Sequence, residues 1–232
     1  MSNVRPQQMH EHSFAANGFA LVAEVLCPEE CEAVAECVSP GVASSGGTRS
    51  LLEQPWCASL ARRLREHSVL STLVPAQFVA VQCTYFEKSA ARNWLVPVHQ
   101  DLSVPVAERV SAPALRGWSE KEGSIFVQAP IEVLEQLVAV RLHLDPCGEQ
   151  DGPLRVVPGT HDRGRIEPEE AAAIRATAIE VACHTQKGEA LALRPLLLHA
   201  SSKATGTSKR RVLHFLFGPR HLPNGLRWQV AV

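Results

Sequence analysis

Two hydrophobic rhythms divide the chain. In the first third the apolar positions recur at helical spacing. Over Pro55–His67 they place Trp56, Leu60 and Leu64 on one stripe and turn Arg62, Arg63 and Glu66 away, which predicts a helix covering one face of a sheet. A second helix opens at Cys27-Pro28-Glu29-Glu30 and runs to about Val38. Its proline gives up only an amide that has no partner there, and its acids face the positive end of the dipole. His12–Asn17 reads as a short helix closed by Gly18, with the polar residues 1–11 frayed before it and a strand at Phe19–Leu26 after it. Ser39–Ser50, rich in Gly and Ser, reads as a loop. From Phe78 the rhythm shortens to strands: Phe78–Phe86, a turn over Glu87–Arg92, then Trp94–Val106 as one strand running into a loop. Further strands are expected at Ser124–Gln128, Gln136–Leu144, Leu154–Val157, Ala190–Leu193, Leu196–His199 and Arg211–Phe217, with a short one at Arg227–Val232. Asp145–Pro153 is a dense turn, and Pro168–Val181 is a late helix.

Helices first, then about eight short strands with turn-rich connections, predict a mainly β fold with flanking helices, a sandwich or barrel rather than a doubly wound parallel sheet. Its 232 residues suit a single domain, 1–232, with a helical part at about 10–70. Ser103–Gly123 stands out as a long connection carrying Pro105, Pro113, Gly117 and many charges. It reads either as a substrate lid or as a loop docked on the surface through Trp118.

Composition narrows the function. A formal charge of -1, with 45 % hydrophobic and 20 % charged residues, is ordinary for a globular protein and argues against a general nucleic-acid or membrane-surface binder. The tight basic cluster Lys209-Arg210-Arg211 is too short to indicate nucleic acid. No apolar run approaches the roughly 20 residues that span a bilayer. Seven cysteines, an odd count without zinc spacing or a signal peptide, predict free thiols in a reducing cytoplasm.

Candidate chemistry starts at His99-Gln100-Asp101. In extended backbone the imidazole and the carboxylate share a face, with Gln100 opposite, and they make up two thirds of the facial set that holds non-haem Fe(II). Alone the pair is a weak signal. Arg141, His143 and Asp145 also share a face, which is costly unless they serve a polar pocket. His199 follows the apolar Pro195-Leu-Leu-Leu, Ser201 lies two residues beyond it, and Arg210 eleven.

This ordered set resembles the Fe(II)/2-oxoglutarate-dependent oxygenases, and within them the phytanoyl-CoA dioxygenase family. Supporting stretches are Trp94–Asp101, the segment Asp151-Gly-Pro-Leu-Arg-Val-Val-Pro-Gly-Thr-His161, in which Asp151 replaces the usual Asn, and Lys209–Phe215. The resemblance covers roughly residues 10–220 and implies a double-stranded β-helix, a cupin-like jelly-roll core. It implies that His99, Asp101 and His199 hold Fe(II), and that 2-oxoglutarate and O2 fill the open positions. Arg210 with Ser201 would then take the far carboxylate of 2-oxoglutarate, with Arg211 as the competing cation because a one-residue slip swaps faces. The implied reaction is hydroxylation of an aliphatic C–H in a small molecule, with release of succinate and CO2. A carboxylate at Asp101, where halogenating relatives carry a small residue, favours hydroxylation. Arg141, His143, His214, Trp94 and Trp118 are candidates for the pocket wall or for supporting the ligands. The rival readings are a cupin-like metalloenzyme working without 2-oxoglutarate and a non-catalytic family member that binds or senses a ligand. Substrate identity and oligomeric state are not legible, and no adenine- or phosphate-binding signature favours acyl-CoA.

Overall fold

The computed structural model describes residues 6–38 and 47–232; residues 1–5 of the stretch expected to be frayed and most of the expected loop at Ser39–Ser50 lie outside the described residues. The chain begins with α1 (Pro6–Asn17), β1 (Phe19–Val22) and α2 (Pro28–Val38). A two-residue strand β2 (Gly47–Thr48), α3 (Pro55–Glu66) and α4 (Leu70–Leu73) follow. Then come β3 (Phe78–Lys88), β4 (Val96–His99), β5 (Ser103–Val106), β6 (Arg116–Lys121), β7 (Ser124–Gln128), α5 (Ile131–Leu134) and β8 (Val138–His143). The last part holds β9 (Leu154–Val156), α6 (Pro168–Thr177), β10 (Val181–Cys183), β11 (Ala190–Leu193), β12 (His199–Ser201) and β13 (Arg210–Pro219).

These strands form an antiparallel six-stranded sheet in the order β1-β11-β8-β13-β3-β2, a four-stranded sheet β10-β9-β12-β4, and a three-stranded sheet β5-β7-β6. This is the expected jelly-roll, a double-stranded β-helix open at one end, with the helices packed outside the large sheet.

Strand parity explains the layering. On β13, Leu213, Phe215 and Phe217 face outward and join Leu60, Leu64 and Leu70 from the helices in one core. Leu216 faces inward and joins Val81, Ala139 and Leu191 in the core between the sheets. Burial on both faces leaves β8 fully buried along its length. A bulge adjusts the register on β3: Leu216 pairs with Gln82 but Phe217 pairs with Ala80, so Val81 is the extra residue. The parity therefore flips there. Before the bulge Val79 and Val81 point inward, and after it Gln82, Thr84, Phe86 and Lys88 do.

Several expected boundaries are corrected, each by a pairing partner. Helix α1 begins at Pro6, so residues 6–11 are not frayed, and β1 stops at Val22, where its partner β11 ends. Strand β3 continues through Glu87 and Lys88, expected as a turn, because Lys88 pairs with Arg210. Trp94–Val106 is two strands in different sheets, β4 on β12 and β5 on β7. The expected loop Ser103–Gly123 contains β5 and β6; β6 is too polar to look like a strand and is held by β7, leaving 107–115 as the irregular part. Leu196–Leu198 is a buried turn rather than a strand, closed by Leu197 N–H to the Arg194 carbonyl, and the strand starts at His199. Helix α6 ends at Thr177, and the last residue of the predicted helix, Val181, instead opens β10. Arg227–Val232 makes only bridge contacts, Trp228 with Val106 and Val232 with Ala80.

Gly152 holds the end of β9 near β13. Its φ is +62°, and an added Cβ would lie 2.5 Å from the Ser202 carbonyl oxygen. We expect Gly152→Ala to cost about 2 kcal/mol or more, from strain and clash together. Thermal unfolding followed by circular dichroism should show a Tm lower by roughly 4–8 °C; an unchanged Tm would contradict the account.

Candidate metal centre

The site begins with one cross-strand pair. His199, the first residue of β12, pairs directly with His99, the last residue of β4. Their rings lie 4.2 Å apart between centroids. After His99 the chain leaves the small sheet, and Asp101, whose N–H donates to the Pro195 carbonyl at 2.9 Å, faces both imidazoles. One carboxylate oxygen lies 3.6 Å from His99 Nε2 and the other 3.6 Å from His199 Nε2. The three ligand atoms all lie within 4.8 Å of one another.

The hydrogen bonds behind the rings determine what these atoms offer. His99 Nδ1 contacts the Pro97 carbonyl at 2.8 Å and His199 Nδ1 contacts the Leu197 carbonyl at 2.8 Å. A carbonyl only accepts, so Nδ1 is the protonated nitrogen in both rings and each Nε2 aims its lone pair at the common point. The 3.6 Å separations are too long for hydrogen bonds to the carboxylate. Two lone pairs and a carboxylate converging on one point are a donor set that fits a divalent transition metal.

Gln100, pointing the other way, anchors the connection between β4 and β5. Its amide donates to the carbonyls of Gly164 and Leu196, and its oxygen accepts from Ile166 N–H at 2.8 Å. It ties the ligand loop to two other segments, at Gly164–Ile166 and at Leu196.

Protonation is tuned by burial and by the neighbours. Burial of Asp101 favours its neutral form, but the charges of His199, His99 and His214 and the contact with His99 win, and the carboxyl is held well below the usual range. Burial lowers His199 to about 4, with Asp101 opposing. For His99 burial also works downward, but Asp101 and the Pro97 carbonyl outweigh it and its pKa is raised.

The three ligands open onto a cavity of about 470 Å³. Arg210, Ser201, Arg141, His214 and Trp94 all line it. Arg210 is 4 % exposed; one Nη donates to the Gly152 carbonyl and its Nε has no partner among the described residues. Arg211 points to the other face, where it pairs bidentately with Asp145 at 2.7 and 2.8 Å. His143 shares a strand face with Arg141 but is buried away from the cavity wall, with an unpaired Nδ1. Trp118 lies off the wall, beneath the Arg109 guanidinium.

Lys88 is a cavity residue that sequence reasoning missed. It is 1 % exposed and donates to Ser201 Oγ at 2.8 Å and to the Ser202 carbonyl at 2.6 Å. Burial, then Arg210 and Arg141, lower its pKa to about 8. The signal was present in the alternation Gln82, Thr84, Phe86, Lys88, but the charges at its end resembled a turn.

A family model described as phytanoyl-CoA dioxygenase (PhyH) matches residues 14–212. No curated protein matches the chain. Among solved structures, the non-haem alpha-ketoglutarate-dependent carbocyclase SnoK from nogalamycin biosynthesis superposes with a TM-score of 0.69 at 15 % identity, covering 94 % of this chain and 85 % of that one. EctD from S. alaskensis, solved with 2-oxoglutarate and 5-hydroxyectoine, gives 0.68 at 15 % identity over 94 % and 78 %. HygX from Streptomyces hygroscopicus, solved with nickel and 2-oxoglutarate, gives 0.61 at 16 % identity over 93 % and 87 %. At these identities the likeness is one of fold.

Two outcomes follow from the ligand geometry. A metal needs both Nε2 lone pairs, and as pH falls His99, with its raised pKa, is protonated before His199, held near 4. Mn(II) affinity, followed by titration, should therefore fall by about tenfold per pH unit below the His99 pKa, with one proton released rather than two until near pH 5. A slope of two protons across that range would refute the assignment. Gln100→Leu leaves the ligands in place but frees their loop, and should weaken Mn(II) binding by about tenfold or more; unchanged affinity would remove Gln100 from the support of the site.

Proposed function

The chain belongs to the phytanoyl-CoA dioxygenase family, and we propose that it is an Fe(II)- and 2-oxoglutarate-dependent dioxygenase, its 232 residues forming one catalytic domain that hydroxylates an aliphatic C–H of a small molecule. The observation that carries this reading is the convergence of His99, Asp101 and His199 on one gap at the wall of a cavity that also contains a buried arginine. The 2-oxoglutarate dependence and metal content of the structural relatives support it. So does Asp101, because a carboxylate in the set leaves no ligand position for halide.

In this reading His99, His199 and Asp101 would hold Fe(II) at the wall of the cavity. When bound, the metal couples reduction of O2 to the oxidative decarboxylation of 2-oxoglutarate, giving succinate, CO2 and a hydroxylated substrate. Arg210 clamps the distal carboxylate of 2-oxoglutarate through its planar fork, and Lys88 and Ser201, already bonded to each other, stand beside it. Their burial strengthens every charge contact made there. Two aromatic rings of the wall each lie under a cation: Lys88 Nζ is 5.6 Å from the Trp94 ring and the Arg141 guanidinium 5.6 Å from Phe86. Substrate enters past β5 and β6, whose Ser103, Val104 and Lys121 reach the cavity, and 107–115 is the segment able to act as a lid. No helix among the described residues is long and apolar enough to cross a membrane, and all seven cysteines are free, which supports a cytoplasmic setting.

Anaerobic Fe(II) with 2-oxoglutarate should give a visible metal-to-ligand charge-transfer band, and O2 should then yield succinate. Arg210→Gln should raise the Kd for 2-oxoglutarate by about a hundredfold, while Arg211→Gln leaves it near the wild-type value and lowers stability by stranding Asp145. The reading fails if the band and succinate are both absent, or if the two arginine variants behave alike.

A further inference from the structure

The cavity holds more positive charge than the cofactors use. Its wall carries three buried cations, Lys88, Arg141 and Arg210, against one carboxylate, the half-exposed Asp101. Of the remaining lining cations, Arg49 is paired with Glu122 at 2.7 Å, and Lys121 lies over the Phe126 ring. Fe(II) and 2-oxoglutarate would bring equal and opposite charges, so loading them leaves the excess where it was. Burial of unbalanced guanidinium groups is costly unless an anion joins them. The cost is visible in Arg141, which burial and then repulsion from Arg210 push down to about 10.

The cations fall into two groups along β13. Arg210 pairs across the sheet with Lys88, and Lys88 bonds Ser201, so these side chains form one cluster. Four residues on, roughly 13 Å along the strand, His214 pairs across the sheet with Arg141. Arg141 is 8 % exposed, donates from one Nη to His214 Nδ1 at 3.1 Å, and has no partner for its Nε among the described residues. Arginine has only donors, so His214 Nδ1 accepts and its proton resides on Nε2. No carboxylate bonds either residue among the described residues. Arg141 and His214 thus stand together on the cavity wall, four residues along β13 from the Arg210 pairing with Lys88.

Resting on the functional reading above, we propose that the substrate carries an oxyanion, a carboxylate or a phosphate, and that Arg141 with His214 binds it. This anion satisfies the free Arg141 edge, offsets the surplus charge and orients the substrate relative to the metal. Neutral hydrocarbons and polyamines are poor occupants by the same charge count.

The test uses the anaerobic protein loaded with Fe(II) and saturating 2-oxoglutarate. Loading is read first by the charge-transfer band, which reports the functional reading by itself. Calorimetric titration with hexanoate, hexyl phosphate and hexanamide then reads the anion site. One of the two anions should bind at least about tenfold more tightly than the amide, and which one it is identifies the oxyanion. Arg141→Gln should abolish that preference and Arg141→Lys should keep part of it, both with 2-oxoglutarate affinity within about threefold of wild type. A loaded protein that shows no anion preference overturns the proposal. So does a preference that survives Arg141→Gln, or an Arg141→Gln variant that loses 2-oxoglutarate as Arg210→Gln does.

Discussion

The site depends on a single backbone pairing, His199 on β12 against His99 on β4. Directly opposed residues in an antiparallel ladder put their side chains on one face at a separation the backbone dictates. Two imidazoles thus arrive together from positions a hundred residues apart in the chain. The carbonyls two residues before each of them, at Pro97 and Leu197, then orient the rings. A slip of one residue in this pairing would turn one imidazole into the opposite face and leave Asp101 facing a lone histidine. The neighbouring contacts oppose such a slip: β9 pairs with β12 on its other side, and Gln100 anchors the loop that returns Asp101.

The second feature of the cavity is a wall whose polarity is set by a bulge. Without the extra residue at Val81, the alternation of β3 would send Gln82, Thr84, Phe86 and Lys88 outward toward the helices and turn Cys83 and Tyr85 into the cavity. The bulge lets one strand serve an apolar core between the sheets at its start and a charged cavity at its end. It also explains how a lysine becomes nearly fully buried: its ammonium reaches Ser201 and Ser202 on the opposite sheet, and Trp94 lies nearby. The cation cluster is therefore a product of two sheets closing on each other, with residues from β3, β8 and β13 meeting groups carried by β12.

Where the chain's chemistry is local, the sequence could be read closely. The amphipathic stripe of α3, the proline-initiated α2, and the Gly18 stop of α1 follow from short-range preferences, and each lies within a residue of its expected end. His99, Gln100 and Asp101 are also local: their alternation places the two ligand types on one side and the anchoring amide on the other. The errors fell where pairing partners overrule composition. Glu87 and Lys88 look like a turn, β6 like a solvated loop, and Leu196–Leu198 like a strand. Their states are decided by β13, by β7 and by burial at a turn, none of which a short window of residues contains.

What the sequence determined by itself was the donor inventory, its order along the chain, and the mainly β rhythm that could bring distant donors together. These rest on side-chain chemistry and on the two-residue repeat of extended backbone, both local properties. Only the tertiary structure decided which of two adjacent arginines faces the cavity, since strand register turns Arg210 inward and gives Arg211 to Asp145. It also brought in Lys88, separated His143 from the wall that Arg141 and His214 share, and left the surplus of positive charge there. Register, bulges and sheet closure are properties of pairs of strands, and for that reason no single stretch of the chain specifies them.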